Sequence, residues 1–203
     1  VTESAATTVF VVDDEPAVAR AIARMLRSAG WRVETFASAE AFLDGHDGRD
    51  GCIVLDVDLP GLDGLALQQR LRDSGGGLPI VFLTGHGDIP MSVRAMKAGA
   101  ADFLTKPVGA ETLTHAVRSA IDQHAAASRR THDGELVRRR IAQLSERERQ
   151  ILDAIADGKL NKQIAYELGV VEQTVKYHRA RLMRALQAKS LAELMHLVAV
   201  ARG

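Results

Sequence analysis

The 203-residue sequence predicts an α/β fold in its first half, with five parallel strands and five helices wound on both faces of one sheet. A helical linker and a small all-α unit of four helices follow. Three observations carry this. Short apolar runs at 8–12, 31–36, 51–56, 79–84 and 102–105 alternate with stretches of helical periodicity, the pattern of parallel strands joined by right-handed crossovers. Beyond about residue 123 strand-like runs cease. The charge changes at the same place: residues 1–123 carry 11 Lys/Arg against 17 Asp/Glu, a net of −6, whereas residues 124–203 carry 15 against 9, a net of +6. An acidic half suits the handling of cations and a basic half suits a polyanion. The expected organisation is therefore a first domain over 1–123, a linker over 124–142 and a second domain over 143–203.

Composition narrows the classes. A hydrophobic content of 46% with 26% charged residues is enough to build real cores. The single Cys52 lies inside an apolar strand, which excludes a disulfide framework and fits a reducing compartment. No run approaches the roughly 18 apolar residues of a membrane span, and no signal peptide is visible at the start of the sequence. A cytoplasmic protein without membrane contact is expected.

In the first half, the first strand runs into Asp13-Asp14-Glu15, and Pro16 suits the first turn of a helix carrying Val18, Ile22, Met25 and Leu26 up to Gly30. The second strand leads to Ser38, a helix cap ahead of Ala41, Phe42 and Leu43. The third is a continuous apolar run that stops on Asp56 before a Pro/Gly turn, and Leu65, Leu67 and Leu71 mark the next helix up to Gly75-Gly76-Gly77. The fourth ends on Thr84. Gly85-His86-Gly87-Asp88 reads as a flexible turn with His86 solvated, and Asp88 with Pro90 as a helix start. That helix carries Met91, Val93, Ala95 and Met96 to Gly99. The fifth strand ends at Lys106-Pro107, and a helix from about Ala110 to Ala127 buries Leu113, Val117 and Ile121.

Ligands of open α/β sheets bind at the carboxyl ends of the strands. That edge collects Asp13, Asp14, Asp56, Thr84 and Lys106. Singly, each is as readily a turn carboxylate, a strand-end hydroxyl or a surface lysine. Together they are a chemistry. Clustered carboxylates take up protons unless a cation sits among them, and an all-oxygen donor set points to Mg²⁺. A lysine and a hydroxyl aimed at the same place suit an incoming phosphoryl group, with Asp56 as nucleophile.

On these residues, the Asp56-x-x-x-Pro60-x-x-x-Gly64 turn, Phe103 and Lys106-Pro107, the first half resembles the receiver domain of two-component response regulators. The resemblance implies phosphotransfer from a sensor histidine kinase to Asp56. It implies Mg²⁺ ligation by Asp14 and Asp56, by the Asp58 backbone carbonyl and, through water, by Asp13. Thr84 and Lys106 would grip the phosphate, Thr84 and Phe103 would form the switch, and the Lys106-Pro107 bond would be cis. Asp56-Val57-Asp58 also resembles the Asp-x-Asp of haloacid-dehalogenase-type phosphatases, but there the motif lies on the first strand and the acidic pair comes last. Here the order is reversed.

In the second half, residues 124–142 read as a polar linker, helical at both ends and broken near Gly134. Ser145-Glu146-Arg147-Glu148 is a capping box opening a helix with Ile151, Leu152 and Ile155. Asn161 reads as the cap of a short helix with Ile164, Ala165 and Leu168. A third helix from about Glu172 carries Val175, Leu182, Met183 and Leu186, and Ser190 starts a fourth with Leu191, Leu194, Leu197 and Val198. Two short helices around a Gly-containing turn are the helix-turn-helix pattern. Lys176, Tyr177, Arg179, Ala180, Arg181 and Arg184 lie off the apolar stripe of the third helix, a basic face suited to a DNA groove.

Leu144-Ser145-Glu146-Arg147-Glu148, Asn161-Lys162-x-Ile164-Ala165 and Thr174-Val175-Lys176-x-His178 resemble the LuxR-type DNA-binding domain, so the whole chain looks like a response regulator of the NarL/FixJ subfamily. Gly85-His86-Gly87-Asp88 and residues 91–103 look particularly like its nitrogen-fixation and aromatic-catabolism branches. The resemblance places Lys176, Tyr177 and Ala180 on the base-reading face and makes the last helix a dimer helix. It implies double-stranded DNA, a homodimer when phosphorylated, and RNA polymerase as partners. Val171 departs from the family's capping Ser or Thr, and Ala180 from a longer basic residue, shifting base contacts toward Arg179 or Arg181, or to a thymine methyl at Ala180. The expected function is a DNA-binding regulator controlled by phosphorylation rather than an enzyme. A phosphatase and a phosphate-independent binding protein are the alternatives.

Overall fold

A computed structural model of the chain describes residues 7–75, 77–85 and 89–202, so the expectations for His86, for the Asp88 cap and for Gly76 lie outside the described residues. The chain divides into two compact units, Val1–Ala125 and Ala126–Gly203.

In the first unit, β1 (Thr8–Val12), β2 (Arg32–Phe36), β3 (Gly51–Asp56), β4 (Ile80–Thr84) and β5 (Asp102–Thr105) form one parallel sheet in the order β2-β1-β3-β4-β5. The helices between them are α1 (Pro16–Ser28), α2 (Ala39–Gly45), α3 (Gly64–Asp73) and α4 (Ile89–Lys97), and α5 (Ala110–Ala142) follows. Strand side chains alternate between two faces. Val9, Val11, Cys52, Val54, Val81 and Leu83 pack with α1 and with Leu113, Ala116, Val117 and Ala120 of α5, while Phe10, Val12, Ile53, Leu55 and Phe82 pack with α2, α3 and α4. Both faces are covered, which is why the strands read as unbroken apolar runs rather than as alternation.

The local signals act as their chemistry predicts. Pro16 opens α1, the Ser38 hydroxyl accepts the Ala41 N–H at 3.1 Å, and Lys106-Pro107 is cis. Gly64 has a sharper reason. A Cβ there would lie 2.4 Å from the Asp56 carbonyl oxygen and 3.1 Å from the Val57 Cα. The first turn of α3 thus passes directly beneath the end of β3, and Asp63 caps it by accepting the Ala66 N–H at 2.7 Å.

Two expectations fail around residues 124–142. The helix from Ala110 does not stop near Ala127, and it is not broken at Gly134; α5 continues to Ala142. A glycine inside a helix costs only about 1 kcal/mol relative to alanine. Here packing offsets it: Gly134, Val137 and Ile141 share one helix face, Gly134 and Val137 are buried, and the Gly134 Cβ position is 3.3 Å from the Val200 carbonyl. The stretch is polar outside and apolar toward its own unit.

The second unit continues with α6 (Glu146–Ala156), α7 (Asn161–Glu167), α8 (Glu172–Ala185) and α9 (Leu191–Arg202) around a core of Ile151, Leu152, Ile164, Val175, Leu182 and Leu194. Asn161 is not a cap. It is the first residue of α7, where Gln163 Oε1 accepts the Leu160 N–H at 2.8 Å, and its side chain is used by Arg179 instead. Val171 precedes α8 without a side-chain cap, as its apolar side chain requires.

The Ser145 capping box is complete: its hydroxyl accepts the Glu148 N–H, and Glu148 accepts the Ser145 N–H at 3.0 Å. The Ser145 hydroxyl and amide, and then the Arg181 charge, hold the Glu148 carboxyl below its usual value of 4.5 against the opposing effect of burial. A depressed folded pKa contributes stability that is fully present above the unfolded value and is lost as pH falls through the folded one. The melting temperature of the second unit should therefore fall as pH is lowered from about 5 to about 3, and Glu148→Gln should flatten that part of the profile. In the first unit, Gly64→Ala should cost about 1–3 kcal/mol in denaturant unfolding, because backbone must give way.

Candidate functional site

Placing β1 beside β3 brings two strand ends together where the winding direction of the sheet changes, the position at which such sheets bind ligands. Asp13 and Asp14 follow β1 and Asp56 ends β3. One carboxylate oxygen from each of the three lies within 4.8 Å of the others. Asp13 and Asp56 are buried, at 2% and 5% exposure, whereas Asp14 is exposed. Backbone geometry aims them: Asp13 Oδ1 accepts the Glu15 N–H at 2.9 Å, and Asp56 Oδ1 accepts the Asp58 N–H at 3.3 Å.

Lys106 reaches this edge from the end of β5. Its ammonium lies 2.7 Å from Asp13 Oδ2 and 2.8 Å from Asp56 Oδ2. Burial lowers the Lys106 pKa, but the hydrogen bonds to Asp13 and Asp56 and their charges outweigh it, and the net shift is upward. Lys106 therefore stays a cation, and its single charge is shared between Asp13 and Asp56. The donor set contains only carboxylate oxygens, without nitrogen or sulfur, which fits a hard divalent ion such as Mg²⁺.

Thr84 is fully buried at the end of β4. Its hydroxyl lies 3.4 Å from Asp58 Oδ2, so the Asp58 carboxylate, and not only its backbone, faces the site. Phe103 on β5 is partly buried, its ring centroid 6.1 Å from that of Phe82. A cavity of about 470 Å³ opens beside the acidic cluster, lined by Asp14, Asp58, Asp63, Met91 and Arg94 among others.

In the second unit the predicted groove-facing residues divide. Tyr177, Ala180, Arg181 and Arg184 recur at helical spacing on the exposed face of α8, with Lys176 exposed at its flank. Arg179 does not belong with them. It stands four residues after Val175 and three before Leu182, both buried, and is itself half-buried with Nη1 2.7 Å from Asn161 Oδ1. Lys176 pairs with Glu172 at 3.1 Å, an exposed link one turn away along the helix. Sequence reading missed that Glu148 also reaches α8: its Oε1 lies 3.0 Å from Arg181 Nε. The capping box announces Glu148, but its second partner lies on a helix that only tertiary packing brings near. Arg147 makes a similar link, its Nη2 2.6 Å from the Leu168 carbonyl.

Among the described residues, no helix is long and apolar enough to cross a membrane. Two family descriptions match the chain: a response regulator receiver domain over residues 9–118, and the luxR family of bacterial regulatory proteins over residues 142–198. Among individual relatives, the transcriptional regulatory protein FixJ of Azorhizobium caulinodans is 43% identical over 194 residues, covering 95% of this chain and 92% of its own. The response regulator protein TodT of Pseudomonas putida is 41% identical over 197 residues, covering 95% and 85%. The solved structure of the response regulator StyR superposes with a TM-score of 0.77 at 45% identity, covering 96% of this chain and 99% of that one. With the acidic edge of the sheet in one unit and the helix-turn-helix in the other, the chain belongs to the DNA-binding response regulators of the NarL/FixJ type, transcription regulators that join a receiver to a LuxR-type domain.

Proposed function

We propose that Asp56 is the phosphoacceptor, that phosphorylation there controls transcription through the LuxR-type domain, and that the donor is the phosphohistidine of a sensor kinase. One observation carries this reading: the Lys106 ammonium is hydrogen-bonded to Asp56 at the end of a central strand, beside a second buried carboxylate. An Asp56 oxygen attacks phosphorus, the bond from phosphorus to the imidazole nitrogen breaks, and the imidazole leaves. Lys106 then exchanges a carboxylate oxygen for a phosphoryl oxygen at little electrostatic cost, and the Thr84 hydroxyl turns from Asp58 to the new group. Phe103 follows into the space that Thr84 leaves. Asp14 and Asp56, the Asp58 carbonyl and, through water, Asp13 are the groups that would hold Mg²⁺. Bound there, the ion would neutralise charge on the transferring phosphoryl oxygens.

The domain reading is a receiver over 1–123, a connecting stretch over 124–142 and a DNA-binding domain over 143–203, and the division of the chain after Ala125 supports it. Ile89, Val93 and Met96 expose apolar side chains on α4. That face suits a receiver homodimer formed on phosphorylation, and α9 suits pairing of the DNA-binding domains. Lys176, Tyr177 and Ala180 read base edges, and Arg184 suits a phosphate. Exposed ion pairs such as Lys176–Glu172 are worth about 0–1 kcal/mol, so Lys176 is free to exchange its partner for DNA. The regulator acts in the cytoplasm, with RNA polymerase as the downstream partner of the DNA-bound dimer.

Acetyl phosphate with Mg²⁺ should place one stable phosphate on Asp56 and raise DNA affinity, and Asp56→Asn should abolish both. Rapid multiple turnover would instead mark a phosphatase, and no labelling a phosphate-independent binding protein. Lys106→Met should slow labelling about 100-fold, the typical loss on removing one preorganised charge partner of a transition state. Across a salt titration, Lys176→Ala should weaken binding to a selected duplex more than to a mixed-sequence one, as loss of a base-edge contact does. Unchanged binding across the titration would remove α8 from the DNA.

A further inference from the structure

Arg181 looks like a DNA contact: it is basic, half exposed and on the groove-facing side of α8. Its surroundings give it a different task. The Nε bonds to Glu148 Oε1 at 3.0 Å, while the other oxygen of that carboxylate is occupied by the Ser145 amide at 3.0 Å and hydroxyl at 2.8 Å. Glu148 is therefore a fixed anchor, 6% exposed and locked into the first turn of α6. The guanidinium carbon of Arg181 lies 6.0 Å from the ring centroid of Tyr177, one helical turn earlier. The Tyr177 ring also meets the His178 ring edge-on, with centroids 5.5 Å apart. Tyr177 itself is 57% exposed, yet its ring has two neighbours within contact range, one of them, Arg181, tied to the buried Glu148.

We propose that Arg181 is a positioning residue for DNA recognition: held by Glu148, it fixes the ring of Tyr177 in the pose with which α8 meets base edges in the major groove, and it makes no phosphate contact of its own. A planar guanidinium suits this because it can bond a carboxylate along one edge while presenting its face to a ring, which an ammonium cannot do. The benefit is preorganisation: an exposed tyrosine with a fixed rotamer loses less entropy on binding than a free one. The specificity determinant is then the chain Glu148–Arg181–Tyr177, with only its last member touching DNA. The inference rests on α8 being the recognition helix, which the Lys176→Ala salt titration tests separately.

The test uses the full-length protein with two probes: a duplex selected by the wild type from a randomised pool, and a mixed-sequence duplex. Arg181→Met should lower affinity for the selected duplex about tenfold, within the range of a cation–π contact together with the ordering it provides. Affinity for the mixed-sequence duplex and the salt slope should stay at wild-type values. Tyr177→Ala should produce the same selective loss, and the double variant should lose nothing further, because both changes break one chain. Arg181→Lys should not recover the selective affinity. Glu148→Gln, checked for folding by thermal melting, should reproduce the loss from the anchor end. A drop in salt slope of about one with Arg181→Met, rescued by Arg181→Lys, would identify a direct phosphate contact and overturn the proposal. Additive losses at Tyr177 and Arg181, or no loss at Arg181, would overturn it as well.

Discussion

Two buried carboxylates at the ends of neighbouring strands, Asp13 and Asp56, repel each other or take up a proton unless a cation joins them, and the Lys106 ammonium supplies one. That constraint organises the first unit. It requires β1 to lie beside β3, so that Asp13 and Asp56 meet, and β5 to end where a lysine side chain can reach across β4 to both. It also makes the edge ready to respond. On the proposed reading, an incoming phosphoryl group would bring negative charge to a place where the Lys106 cation already sits and where the Thr84 hydroxyl has an exchangeable partner in Asp58. Little would then have to be built when phosphate arrives, and what would move is a pair of hydrogen bonds.

The second unit solves a different problem, that of presenting a few side chains to DNA in a fixed register. Its core stripe of Val175, Leu182 and Leu186 sets the rotation of α8, and the polar links add the finer control. Arg179, basic but turned toward the core, braces α8 against the start of α7. Glu148 closes the first turn of α6 and grips α8 with the same carboxylate. Basic residues on one helix thus have unequal standing: two brace the motif, and the others face outward.

Much of this was legible in the chain itself. The β strands and the carboxylates at their ends could be read because a buried parallel strand leaves a continuous apolar run with a sharp polar stop, a local signal that needs no knowledge of partners. The capping box at Ser145 was legible for the same reason. What failed depended on distant residues. Gly134 looked like a break because glycine is a poor helix former, but the face it shares with Val137 and Ile141 is buried, and Val200 lies too near for a larger residue to fit without a shift. Asn161 looked like a cap because asparagine usually caps, but Arg179 holds its side chain and the helix begins one residue earlier in the turn. The Asp58 carboxylate carries no local signal of its own, because its partner Thr84 lies at the end of a different strand.

Cys52 sits in the middle of the sheet with no exposed surface, and burial pushes its thiol up to about 12. Since the thiolate is the form that reacts, alkylating reagents cannot modify it while the sheet is intact. Its modification therefore requires opening of β3, among the last elements to open because it is flanked on both sides and covered on both faces. The rate of that reaction is a built-in gauge of the first unit's global stability, readable in the presence of kinase or DNA. The same silence makes the native chain a clean background for labelling: a cysteine introduced on the outer face of α8 or α4 would be the sole thiol to react in the folded protein.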